Sequence, residues 1–177
     1  QLDILVNNAG KILPGLSVNE TTEEDFDAFV AVNLKGTFHG LKYCYPHLKK
    51  TKGCVLNISS MSGVVGQANH AVYGATKGGI NALTKATAVD WGADGIRVNA
   101  LCPLAMWTDG LREWLNEQVD QKAMTAYLDS LSSLGYTPTA EEVAGSAVYL
   151  CSDLAKFVTG VVLPVSGGGE VGYKVSG

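Results

Sequence analysis

Apolar residues recur along this 177-residue chain in two rhythms that alternate with one another. Four short continuous apolar runs, Leu2 to Val6, Cys54 to Ile58, Ile96 to Leu101 and Val161 to Val165, read as buried strands. Between them the apolar spacing turns helical. It predicts a long helix from Thr22, where Asp25 completes a capping-box pattern, to about Lys50, and a second from about Ala71 to Gly92. A helical excursion runs from Thr108 to Leu134, and a last helix runs from Thr139, box-like with Glu142, to Cys151. Strict alternation of strand and helix predicts an α/β fold, a doubly wound parallel sheet of about four strands with helices on both faces. Ligands bind such sheets beyond the carboxyl ends of the strands. Gly10, Ser60 and Pro103 each stand just past such an end, so three separate segments converge on one rim.

Composition supports this picture and removes some partners. Apolar residues make up 46% of the chain and charged ones 17%, with 21 glycines, which suits buried parallel strands joined by tight turns. The net charge is -4, and the one basic cluster is the short Lys49-Lys50-Thr51-Lys52, so nucleic acid and anionic membrane are poor candidates. No apolar run reaches spanning length. Cys44, Cys54, Cys102 and Cys151 are widely spaced in apolar or helical contexts and read as reduced core thiols, with the cytoplasm as the default compartment. His39 and His47 suggest no metal site, and His70 reads as a solvated loop histidine. There is no repeat or linker, and residues 1–177 read as a single partial domain.

The chemistry gathers between Gly53 and Lys77. Ser60 stands thirteen residues before Tyr73, and Lys77 lies one helical turn beyond it. Composition alone yields roughly 0.4 Tyr-x-x-x-Lys pairs, and one chance pair is present, Tyr45 with Lys49. Thirteen residues before Tyr45 is Val32, which has no hydroxyl, whereas Ser60 closes a strand. A tyrosine acting as base near neutral pH needs a shift of roughly three units from its ordinary value near 10. An ammonium at i+4, about 5 Å away, gives roughly 3 kcal/mol of that at an effective dielectric near 20. Tyr73 is therefore the expected acid/base, with Lys77 depressing its pKa and Ser60 holding a substrate oxygen. The plainer readings are an exposed helical pair for Tyr73 and Lys77, a loop serine for Ser60, a core amide for Asn33 and a strand-ending turn for Asn7 to Gly10.

These motifs resemble the compact, single-domain branch of the short-chain dehydrogenase/reductase family. Asn7-Asn8-Ala9-Gly10 follows a strand, Asn33 sits within a long helix, and Ser60, Tyr73 and Lys77 come next in family order. Arg97-Val98-Asn99-Ala100 leads to Pro103, with Thr108 five residues on, and Leu163-Pro164-Val165-Ser166-Gly167-Gly168 ends the pattern. The resemblance implies a Rossmann-like sheet, NAD or NADP as cofactor, and interconversion of a secondary alcohol and a ketone. It implies a catalytic set of Asn33, Ser60, Tyr73 and Lys77, Lys77 also bonding the nicotinamide ribose and Asn33 holding a proton-relaying water. It implies cofactor contacts from Asn7, Ala9, Gly10, Tyr73, Lys77, Pro103, Met106 and Thr108. It further implies a helical substrate lid at about 104–137 and a homodimer or homotetramer paired through the long helices.

Several features depart from the family or compete with it. The glycine-rich first turn of the family is not in this sequence, and Leu2 to Val6 reads as its fourth strand, so the chain reads as the C-terminal part of a longer protein. Leu104 stands where a glycine is usual, which puts a side chain where the nicotinamide would pack. Ser166 replaces the common acidic residue before the final Gly-Gly. Gly167-x-Gly169-x-x-Gly172 matches a dinucleotide fingerprint formally, but too little chain follows for its helix and strand, and it reads as a flexible glycine-rich tail. Leu111, Trp114, Leu115 and Val119 form an apolar stripe that either greets a hydrophobic alcohol or ketone or simply faces the core. Two rival readings stay open: a non-catalytic remnant acting through self-association, and the sugar-nucleotide epimerase branch, disfavoured by Asn7 to Gly10.

Overall fold

In the computed structural model, which describes residues 1–12 and 15–172, the four apolar runs form one parallel sheet. Its strands are β1 (Ile4–Asn7), β2 (Cys54–Ile58), β3 (Arg97–Pro103) and β4 (Val162–Val165), and they lie side by side in chain order. The helices are α1 (Glu23–Phe29), α2 (Gly36–Thr51), α3 (Ala71–Trp91), α4 (Asp109–Asn116), α5 (Gln121–Ser130) and α6 (Ala140–Cys151).

Side-chain alternation along the strands builds two cores. Leu41 and Leu48 of α2 and Ala88 of α3 bury against Val55 and Val98 on one face of the sheet. Leu56 and Leu101, one residue out of phase with them, point to the other face, against Val143 and Leu150 of α6. The sheet is thus covered on both sides, as the alternation of elements predicts. Among the described residues β1 pairs with β2 alone, and Ile4 and Val6 stand 45% and 49% exposed.

Side-chain hydrogen bonds from Arg97 and Asn99 lock the corners. Arg97 donates to the carbonyls of Leu150, Ser152 and Val158, and Asn99 donates to Val158 O and accepts from Val161 N. The Arg97-Val98-Asn99 motif therefore ties β3 to the C-terminus of α6 and the start of β4.

The structure refines the expected elements in four places. The long helix is continuous but passes through a π-helical segment, Val30–Lys35, in which the Gly36 N–H reaches back to Ala31 O. At its start Thr22 accepts from Asp25 N, but the Asp25 carboxylate receives the Thr22 hydroxyl instead of closing a full capping box. Aspartate is one methylene shorter than Glu142, which does close the box with Thr139. The excursion splits into α4 and α5, because Asp120 caps a new helix by accepting from Ala123 N. Val119 falls in that break and is fully exposed, so it leaves the stripe. The glycine run forms a turn, with Ser166 Oγ accepting from Gly168 N and Gly169 N; residues 173–177 lie outside the described residues.

Candidate active site

The carboxyl ends of β1, β2 and β3 bring Gly10, Ser60 and Pro103 to one rim, and α3 sets Tyr73 and Lys77 beside them. Ser60 caps a short 3-10 turn, Met61–Gly63, accepting from both the backbone N–H and the hydroxyl of Ser62. With those lone pairs engaged, its own hydroxyl hydrogen remains to be donated.

Two glycine contacts press this turn onto α3. A Cβ on Gly63 would meet Lys77 C at 2.7 Å and Gly78 N at 2.8 Å, and a Cβ on Gly74 would meet Ser62 O at 2.8 Å. Asn81 Nδ2 donates to Gly63 O at 3.0 Å, and Ser59 Oγ donates to Lys77 O at 3.0 Å. Sequence reasoning missed this clamp, although small residues on both sides of the seam were its visible trace.

Tyr73 is 9% exposed and Lys77 4%. Burial raises the Tyr73 phenol above its ordinary value, and the Ser60 hydroxyl beside it pulls in the opposite direction. Burial outweighs the lowering contribution, and the net shift is upward. The ammonium is 5.6 Å from the ring centroid and is engaged by Ile58 O at 2.8 Å. An un-ionised phenol is able to donate a proton.

Lys77 is itself depressed by burial, from 10.5 to about 8. The unfolded chain holds that proton up to its higher pKa, so the stability that Lys77 contributes rises as pH increases from about 8 toward 10.5 and is lost as pH falls through 8. Denaturant titrations of the protein and its Lys77→Met variant should show their difference shifting in favour of the unmodified protein by about 3 kcal/mol over that window. A difference that stays flat with pH would mean the ammonium is not desolvated.

The remaining expected residues divide by role. Asn33, fully buried in the π-helical segment, accepts from Lys11 N at 2.7 Å and donates to Lys11 O at 2.9 Å and Thr76 Oγ1 at 3.2 Å. Both amide hydrogens are thereby committed to the protein, and the carbonyl carries the one unshared lone pair. Gly10 lies between this amide and the lysine: a Cβ there would stand 3.4 Å from Asn33 Oδ1 and 3.5 Å from Lys77 Nζ. Ala9 is exposed at the same rim. Asn7 faces inward, donating to Asn57 Oδ1 at 2.8 Å and packing against Gly40, so its amide serves the strand end.

Pro103 is buried at the end of β3, and Met106 packs onto the α6 core. Thr108 accepts from Leu111 N and caps α4. Leu104, the departure from the family pattern, packs on the terminal turn, where a Cβ on Gly169 would meet its Cδ2 at 3.0 Å. Ser166 takes over the missing acid by capping that turn, and its hydroxyl also bonds Glu170. The chance pair Tyr45 and Lys49 is a surface network in which both side chains bond Asp94.

Two aromatic neighbours of Tyr73 were not foreseen. Phe29 meets its ring edge-on at 6.4 Å, and His70, expected in solvent, is half-buried and meets it edge-on at 5.9 Å. Among the described residues, no His, Cys, Asp and Glu group is placed to hold a metal, and no helix is long and apolar enough to cross a membrane.

The chain is similar to known proteins along most of its length. A family model described as enoyl-(acyl carrier protein) reductase matches residues 1–170. L-fucose dehydrogenase of Mus musculus is 41% identical over 172 residues, covering 97% of this chain and 63% of that protein. Meso-2,3-butanediol dehydrogenase of Serratia marcescens is 39% identical over 168 residues, covering 95% of this chain and 64% of that protein. The chain thus spans less than two thirds of the length of either relative. The solved structure of ElxO with NADP bound is similar with a TM-score of 0.89 and 32% identity, over 97% of this chain and 68% of that one.

Proposed function

This chain belongs to the short-chain dehydrogenase/reductase family, and from that membership we propose that it serves an oxidoreductase interconverting a secondary alcohol and a ketone. The observation that carries the reading is the close seating of the Ser60 turn on α3 through Gly63, beside a buried Tyr73 phenol, Lys77 held on Ile58 O and the corner at Gly10. A nicotinamide dinucleotide, NAD or NADP, supplies the hydride donor or acceptor when bound. The corner at Gly10 fits such a group, since any side chain there would fill it. Ala9, Gly10, Lys77 and Pro103 would hold it, with Asn7, Met106 and Thr108 supporting the segments around it.

In the reductive direction Ser60 donates a hydrogen bond to the carbonyl oxygen, and Tyr73 delivers a proton to that oxygen from its hydroxyl. Lys77, anchored on Ile58 O, keeps two further ammonium hydrogens for the ribose and for steadying a developing phenolate. Asn33 positions the segment at Lys11 and Gly10, and its free lone pair is the place for a relaying water. The α4 and α5 helices, which bury only Leu128 between them, act as the lid over the substrate.

Self-association belongs to the same reading. Val30, Leu34, Phe38, Ala82, Leu83 and Ala86 line an apolar groove between the long helical run and α3, and a second copy would cover it. A single-copy mass by light scattering would remove that part. The four free thiols suit a reducing cytoplasm.

The test of the activity is oxidation of secondary alcohols with NAD and with NADP, followed by the reduced nicotinamide formed. Formation with at least one nucleotide is expected; none with either, from any alcohol, sinks the reading.

A further inference from the structure

His70 closes one side of the crevice beside Tyr73, whose other walls are Leu16, Thr21, Phe29, Asn69 and Val72. Most of that lining is hydrocarbon, so a polar ring atom there is conspicuous. The imidazole is held on several sides. Its Nδ1 lies 2.9 Å from Ala68 O, and a carbonyl can only accept, so Nδ1 carries the hydrogen in this contact. In the neutral ring Nε2 then keeps a bare lone pair. Among the described residues nothing donates to it.

The ring stands edge-on to Tyr73, with centroids 5.9 Å apart and planes at 74°. The backbone of His70 bridges to Leu16, and Gly15 leaves the ring its space, since a Cβ there would meet Cε1 at 3.2 Å. The result is a fixed hydrogen-bond acceptor one ring away from the proposed acid/base.

We propose that His70 Nε2 accepts a hydrogen bond from a second hydroxyl of the substrate, on the carbon next to the reacting one, so that vicinal diols and the matching α-hydroxy ketones are preferred. This rests on the oxidoreductase reading above. Two neighbouring oxygens about 3 Å apart, with a hydrogen bond of about 3 Å at each end, bridge about 6–9 Å between protein groups, and the Tyr73 and His70 ring centroids stand 5.9 Å apart. Tyr73 and Ser60 take one oxygen and His70 the other.

A matched pair of alcohols tests it, butane-2,3-diol against butan-2-ol, which share a carbon skeleton and differ by one hydroxyl. The ratio of their kcat/KM values is the readout, because it cancels the amount of folded protein. The unmodified protein should favour the diol by about tenfold, the scale of one hydrogen bond, chiefly through KM. His70→Phe should bring the ratio close to one, and His70→Gln, whose amide oxygen can accept, should restore part of it. A ratio near one in the unmodified protein, or a ratio that survives His70→Phe, overturns the assignment. Equal loss on both alcohols would mark His70 as packing for Tyr73 only and overturn it as well. If neither alcohol is oxidised with NAD or NADP while other secondary alcohols are, this assignment fails and the oxidoreductase reading stands; if no alcohol is oxidised, that reading fails first.

Discussion

On the proposed oxidoreductase reading, Tyr73→Phe should lower turnover by roughly 10²- to 10⁴-fold, the usual size of a lost general acid or base, and leave binding of NADH or NADPH unchanged. The substitution removes one oxygen and little else. The ring keeps its edge contacts with Phe29 and His70, and Thr76 still donates to the backbone carbonyl of residue 73. Lys77 stays on Ile58 O, because that bond does not involve the phenol. Stopped turnover alongside intact nucleotide fluorescence quenching would therefore locate the loss in proton transfer. A variant that still turns over would leave the phenol without its role, whatever the family resemblance.

Gly63→Ala has a large expected effect on the structure of the site. The new methyl would meet the backbone of Lys77 and Gly78 at 2.7 and 2.8 Å, and neither can swing aside as a side-chain tip would. The turn carrying Ser60 and the helix carrying Tyr73 must then separate, at a cost of roughly 3 kcal/mol. For a chain of this size that is a fall in Tm of roughly 10 °C. Turnover should fall further than stability explains, since Ser60 and Tyr73 no longer meet the same oxygen. Gly66→Ala, with open space around the position, is the control and should melt like the parent. Equal melting of the two variants would show that the seam yields more easily than its distances imply.

How far the residues announced this arrangement depends on the kind of interaction. The strands were legible because a parallel sheet covered on both faces writes itself as unbroken apolar runs, and Cys54 to Ile58 matches β2 to the residue. Strand ends were less so: β3 runs on to Pro103 because the Leu104 N–H still finds Val165 O, a partner some sixty residues away that no local pattern records. The register of Ser60, Tyr73 and Lys77 could be read because helical spacing is a local property. The sign of the Tyr73 shift could not, because it is decided by how much water the fold excludes. His70 was misjudged for the same reason: its burial comes from Leu16 and Gly15, far off in the chain. Asn33 was expected from the resemblance to hold a relaying water, with a core amide as the plainer reading, and its partners, the backbone of Lys11 and the hydroxyl of Thr76, emerge only in the fold.

Strands that sit side by side in the order of synthesis have a bearing on biogenesis. As β2 leaves the ribosome it finds β1 already available, and β3 and β4 each find a finished neighbour in turn, so no strand has to be inserted between two others. Growth then proceeds at one margin, from β2 to β4, while among the described residues the outer border of β1 has no strand beside it. The helix made between successive strands is then at hand to shield the face just created.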